Sequence, residues 1–245
     1  MSKLKLVVVL AATCFAAFGS TIVVPNSNTS TVGNQPDVLG GSGDGRSQEL
    51  LGSGQFASVG GSLLIDQLSF RAAPGTGPLN LTVTTLNLFL STSSRTPNTS
   101  GTLMSATFAD NVGPDNTLVY SGPVTFNTVA CAGPAVCPFD LSILFTTPFL
   151  YNPSQGRLLL DFKLTGFSST SGTFDAVSFN PPGGGSVASV NAGLNDAAGN
   201  FEFSGDIVQL RYTAVAPEPA SWGLMLTGAA ALALMRRRRT ASGLR

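Results

Sequence analysis

A chain of 245 residues with 13 basic and 13 acidic side chains is formally neutral, and with its two ends set aside it still has the length of one β-sandwich domain. Neutrality conceals a split: the two ends are basic, whereas the stretch between them carries twelve acids against six bases, which argues against a nucleic-acid-binding protein. There is no histidine, so Ser-His-Asp and Cys-His constellations and the commonest general base are missing.

In chain order, Lys3 and Lys5 precede an apolar stretch over 6–18 and the small residues Gly19 and Ser20. Charge, length and flank predict a secretory signal peptide over 1–20, cut near Ser20. Cys14 follows Ala11-Ala12-Thr13, a poor lipobox, and leaves with that peptide. Residues 21–45 are polar and glycine-rich and read as a flexible linker.

From 46 to 215 short apolar runs alternate with turn clusters, and no stretch of ordinary helical length shows a 3.6-residue period. Strands are expected at Ser62–Phe70, 79–90, 102–108, 117–120, 124–129, 139–146, 157–164, 173–179 and 201–214. In 79–90 the phase of the leucines slips at Thr84-Thr85, which predicts a bulge. In 157–164, Leu158, Leu160, Phe162 and Leu164 are expected inward, with Asp161 and Lys163 outward. The turns Ser121-Gly122-Pro123, 181–185 and 195–200 separate strands. The expected fold is all-β: a single antiparallel β-sandwich, jelly-roll-like, with no repeat and no second core.

Cys131 and Cys137, separated by Ala-Gly-Pro-Ala-Val, form an even pair outside the cytoplasm and are expected to close a disulfide staple. Two thiolates without histidine do not complete a zinc site, and the spacing is not Cys-x-x-Cys. Six carboxylates, Asp66, Asp140, Asp161, Asp175, Glu202 and Asp206, lie in or beside strands and are the material for a two-carboxylate glycan hydrolase. The simpler reading makes them turn-capping or solvent-facing acids. Asp110, Asn111, Asp115 and Asn116 crowd oxygens into one turn, either a Ca²⁺ loop or ordinary turn chemistry. No cofactor is expected. Sixteen phenylalanines read as core filling, and the only tryptophan, Trp222, lies in the tail, so no sugar-binding platform is visible.

The last thirty residues, 216–245, have three parts. Pro217-Glu218-Pro219 is held extended by its prolines and stays open to a protease. Residues 220–235 carry no charge and as a helix would span roughly 24 Å, short of a hydrocarbon core of about 30 Å. Trp222 at one interface and snorkelling Arg236, Arg237, Arg238 and Arg239 at the other make up part of the difference. The arginines keep the end of the chain cytoplasmic and leave Pro217-Glu218-Pro219 outside.

This order of proline-rich motif, short transmembrane helix and arginine cluster resembles the PEP-CTERM sorting signal. The resemblance implies cleavage near Pro217-Glu218-Pro219 by an exosortase-type membrane protease, after export through the secretion translocon and removal of the leader by signal peptidase. An uncut tail anchor would have the same topology. Stretches of the body are also similar to the middle region of such proteins: Gly54-Gln55-Phe56, Leu68-Ser69-Phe70-Arg71, Phe89-Leu90-Ser91-Thr92, Val119-Tyr120-Ser121-Gly122, Thr147-Pro148-Phe149-Leu150-Tyr151-Asn152-Pro153 and Leu158-Leu159-Leu160-Asp161. That likeness implies architecture and no chemistry. The expected protein is a non-enzymatic surface or exopolysaccharide-matrix component, structural or adhesive, with a carbohydrate-binding module or carboxylate-based hydrolase as the alternative.

Overall fold

Alternating apolar residues dictate the centre of the molecule. In the computed structural model, which describes residues 19–37, 43–98, 101–131, 133, 135–179, 185–215 and 228, the inward positions Leu158, Leu160, Phe162 and Leu164 are fully buried. Leu81, Val83, Leu86, Leu88 and Leu90 of the neighbouring strand are buried with them. The leader over 1–18, Pro217, Glu218, Pro219, Trp222 and Arg236 to Arg239 lie outside the described residues. Among the described residues no helix is long and apolar enough to cross a membrane.

The strands are β1 (Ser20–Val24), β2 (Gln35–Asp37), β3 (Gly45–Leu51), β4 (Ser62–Phe70), β5 (Asn80–Ser93), β6 (Thr117–Asn127), β7 (Leu141–Tyr151), β8 (Arg157–Ser171), β9 (Phe174–Ser178), β10 (Val187–Gly193), β11 (Asn200–Glu202), β12 (Ser204–Asp206) and β13 (Val208–Val215). They form a four-stranded sheet in the order β1-β13-β4-β7, a six-stranded sheet β11-β10-β3-β8-β5-β6 and a three-stranded sheet β12-β9-β2, with antiparallel neighbours throughout. The protein is all-β. One apolar core takes side chains from all three sheets, so the two larger sheets face each other as in a sandwich. At its centre the Phe70 ring lies 5.1 Å from that of Phe174, 6.1 Å from Phe162 and 6.4 Å from Phe126.

The β5–β6 register shifts between Val83 and Leu86, where the sequence phase slips at Thr84-Thr85. Other segments depart from the expectation. The linker read over 21–45 is in part strand: β1 pairs with β13 along its whole length and buries Ile22, Val23 and Val24, and β2 pairs with β9. Its polar composition hid a short apolar run, Ile22-Val23-Val24. Ser121-Gly122-Pro123 does not break the chain, because β6 is the outer strand of its sheet and Pro123 forfeits no ladder bond there. Pro148 likewise lies within β7, at the other sheet's edge and inside a register shift. Strand β10 arises where none was expected.

Residues 102–108 form no strand. They run over the outer face of the six-stranded sheet, where Met104 and Phe108 join Leu50, Leu159, Ala188 and Val190 in a second apolar cluster. This face was expected to meet solvent. Asp161 does point away from the main core, but it is buried beneath that covering segment.

Cys131 and Cys137 are joined by a disulfide with a Cα–Cα distance of 5.9 Å. The Gly75 N–H donates to the Cys131 carbonyl at 2.9 Å, which ties the stapled loop to the Pro74-Gly75 turn.

Two outcomes are expected in chemical denaturation. Phe70→Ala empties the meeting point of three rings and should destabilise the protein by about 3–5 kcal/mol. Replacing Cys131 and Cys137 together by Ala releases a short loop and should lower stability by roughly 2 kcal/mol, with the native near-ultraviolet dichroism retained.

Candidate functional site

Strand β3 carries polar residues on both of its faces, and each face builds a separate buried cluster. Arg46, Gln48 and Leu50 alternate toward the outer layer; Ser47, Glu49 and Leu51 alternate toward the core side.

On the outer side, Arg46 grips Asp161 with both ends of its fork, Nε to Oδ1 at 2.9 Å and Nη2 to Oδ2 at 2.5 Å. Gln48 Nε2 donates to Asp161 Oδ2 at 2.9 Å, and Asn111 Nδ2 donates to Gln48 Oε1 at 2.9 Å. The Arg46 guanidinium also stacks over the Phe108 ring, 4.5 Å from its centre. Every oxygen of Asp161 is therefore engaged, and the network holds the 102–111 segment onto the sheet. This carboxylate is structural.

On the inner side, Glu49 is 3 % exposed and Asp206 is 1 % exposed. The Asp206 N–H donates to Glu49 Oε1 at 3.2 Å, which brings β12 against β3. Asp175, on β9 beside β12, and Asp37, on β2, add further negative charge. The compensating cation is Arg71, which is fully buried. It donates from Nε to Asp175 Oδ2 at 2.8 Å, from Nη1 to the Asn28 carbonyl at 3.0 Å and from Nη2 to the Thr31 carbonyl at 2.7 Å. The Gly33 N–H occupies the other oxygen of Asp175 at 2.9 Å, an approach open only to glycine, since a side chain there would run into the Ala176 carbonyl.

Arg71 thus satisfies Asp175 and the loop 28–31, not the neighbouring pair. Glu49 Oε2 and Asp206 Oδ1 are buried and meet no N–H or hydroxyl donor; the two carboxyls hydrogen-bond to each other. Burial pushes the Glu49 carboxyl up to about 8, with the charge of Asp37 adding to the effect while hydrogen bonds from Asp206 oppose it. Burial raises Asp206 well above the usual carboxylate range, and the charges of Glu49, Asp37 and Asp175 push in the same direction.

The remaining sequence candidates do not come together. Asp66 forms a half-exposed pair with Arg211, at 2.7 and 3.2 Å. Asp140 and Glu202 are exposed, and Glu202 accepts from the Ser204 hydroxyl at 2.9 Å. Three side-chain oxygens of the 110–116 turn are engaged locally: Asp110 Oδ2 accepts from Ser105 Oγ, Asn111 Oδ1 from Ser105 N and Asp115 Oδ1 from Thr92 N. A surface cleft of about 540 Å³ beside that turn, lined by Thr92, Asp115, Leu150, Asn152 and Gln155 among others, contains a single carboxylate. Among the described residues no two of the six candidate carboxylates meet in an open groove, the arrangement that glycoside hydrolysis usually employs. Of the six candidates, only Asp175 and Asp206 share a site. Glu49 and Arg71, which complete it, were not singled out; the signal for Glu49 was a charged residue directly before the apolar Leu50-Leu51.

Protonation of Glu49 and Asp206 stabilises the fold, so the sign of the pH dependence follows. Glu49 rises from 4.5 in the unfolded chain to about 8 in the folded one. Its contribution is complete below pH 4.5 and is lost as pH rises through 8, and Asp206 acts in the same sense. In chelator-containing buffer, urea titrations should show stability falling by a few kcal/mol between about pH 5 and 8. Glu49→Gln should flatten that slope. Arg71→Met, which strands the buried Asp175 charge, should destabilise by about 3–5 kcal/mol.

No protein-family model matches the chain, and no curated protein or solved structure shows significant similarity to it.

Proposed function

We propose that this chain is an exported, non-enzymatic protein whose jelly-roll-like β-sandwich is delivered to the cell surface or exopolysaccharide matrix as structural or adhesive material. A signal peptide over 1–20 directs it through the translocon. A cleavable segment over 216–245 then holds it transiently in the inner membrane for an exosortase-type protease. The observation that carries the reading is the tail: Pro217-Glu218-Pro219, the uncharged run 220–235 and Arg236 to Arg239, in that order and spacing.

Three features of the body support it. The disulfide between Cys131 and Cys137 suits an oxidising compartment. Among the described residues, carboxylates are used in ion pairs, turns and a buried cluster, and the cleft beside the 110–116 turn holds Asp115 alone. Leu64 and Leu150 sit opposite each other on the outer face of the four-stranded sheet, 38 % and 58 % exposed, with Leu144 at 59 % on the same face. Surface leucines grouped in this way favour adhesion to another surface.

Mass spectrometry of the protein recovered from its host tests the reading. The expected mature form begins near residue 20 and ends at or beside Pro217-Glu218-Pro219. Replacing Arg236 to Arg239 by neutral residues should leave uncut, missorted precursor. A mature chain that still extends through Arg245 would contradict cleavage.

A further inference from the structure

We propose that the leucine-bearing end of the four-stranded sheet rests on the phospholipid surface of the membrane for as long as the tail is uncut. This rests on the membrane segment proposed over 220–235, and two observations carry it further. The first is where the apolar side chains lie. Thr213, Leu64 and Leu150 form one cross-strand row over β13, β4 and β7, and Val215, two positions beyond Thr213, takes the same face. Val215 is 42 % exposed and is the last residue of β13, so the exposed leucines sit where the chain leaves the body. Further along β4 the surface turns polar. Asp66 pairs with Arg211 at 2.7 Å, and Gln67, Ser69 and Ser142 bond one another, with Leu144 beside them.

The second observation is the length of the tether. Residues 216–219 separate Val215 from the uncharged run, and four residues fully stretched reach at most about 14 Å. The polar interface on each side of the hydrocarbon is about 5–8 Å deep. Leu64 and Leu150 lie one and two strand spacings from β13, about 5 and 10 Å. With 220–235 in the bilayer, these side chains are held within reach of the headgroups. So small a patch would not keep a free protein on a membrane, but here the contact is intramolecular, at an effective concentration of about millimolar. The connections at the same end, 52–61 and 152–156, carry no charge and approach the interface without stranding an ion. Asp115 borders Leu150 across the cleft, which makes zwitterionic lipid the better matched surface. Docked in this way, the body would present Pro217-Glu218-Pro219 to the protease at a set height, and cleavage would free the leucines for adhesion.

The test places the full chain in phosphatidylcholine nanodiscs, with and without lipid carrying a nitroxide quencher on its headgroup. Trp222, the only tryptophan, reports the tail. With Cys14→Ser, a dye on Gln155→Cys reports the 152–156 turn, and a dye on Thr125→Cys, opposite Thr82 at the far end of the sandwich, serves as control. The expected result is quenching of Trp222, loss of about half the emission at 155 and none at 125. Leu64→Glu, which charges the exposed row, should abolish the loss at 155, keep that at Trp222 and leave Tm in detergent unchanged. Quenching of Trp222 without quenching at 155 would overturn this inference and leave the sorting reading standing. No quenching of Trp222 would remove the membrane segment and both readings with it. A dye at 155 that is shielded from water yet not quenched by lipid would mean another occupant, such as a second copy of the chain, and would overturn the proposal. Equal quenching at 155 in the Leu64→Glu chain would come from tethering alone and overturn it as well.

Discussion

The ladder between β5 and β8 is the constraint on which the remaining structure depends. Its register runs from Asn80 opposite Ser171 to Ser93 opposite Arg157. Side chains alternate across a strand, so a slip of one residue would turn Leu158, Leu160, Phe162 and Leu164 out of the core. The same slip would bring Asp161 into it. Strand β8 also has β3 bonded along its other edge from Leu158 to Leu164, which holds that stretch in register from both sides. Both of its faces are occupied, by the main core on one side and by the segment carrying Met104 and Phe108 on the other.

Buried charges do a second kind of work. Arg46 with Asp161 and Arg71 with Asp175 each fasten a stretch without extended strand, residues 102–111 and 26–31, onto a sheet that has finished its own backbone bonds. Withdrawing these ions from water is unfavourable, and well-packed apolar side chains could supply comparable stability. What the pairs add is selectivity, since only one placement of each loop satisfies every donor and acceptor. Glu49 and Asp206 break this pattern, being buried side by side without a cation of their own among the side chains that hold them.

Where burial followed strand periodicity, the sequence was legible. Ser62–Phe70 is a strand with the expected bounds, the core face of 157–164 reads directly from its leucines, and Thr84-Thr85 marks a register shift. Failures came where tertiary position overrode local preference. Pro123 and Pro148 look like strand breakers, yet each sits on an outer strand whose free edge needs no N–H. Residues 102–108 have strand-like composition but lie across a sheet instead of beside one. The acidic site was the least visible feature. Glu49 and Asp206 are 157 positions apart, and neither has a local pattern that points to the other. Arg71 joins residues 40 and 104 positions away, and a lone arginine after an apolar run looks like any surface residue.

The pairing of β1 with β13 has a mechanical side. Ser20 lies opposite Tyr212 and Val24 opposite Val208, so the start of the first strand and the finish of the last leave the body at the same end, on adjacent ribbons. Tension between those two points would act across the ladder and peel β1 away one backbone bond at a time. A load entering through β13 alone meets β1 on one flank and β4 on the other, and both must shear together before it yields. The body is therefore weak when held by both ends and much stronger when it hangs from its C-terminal strand.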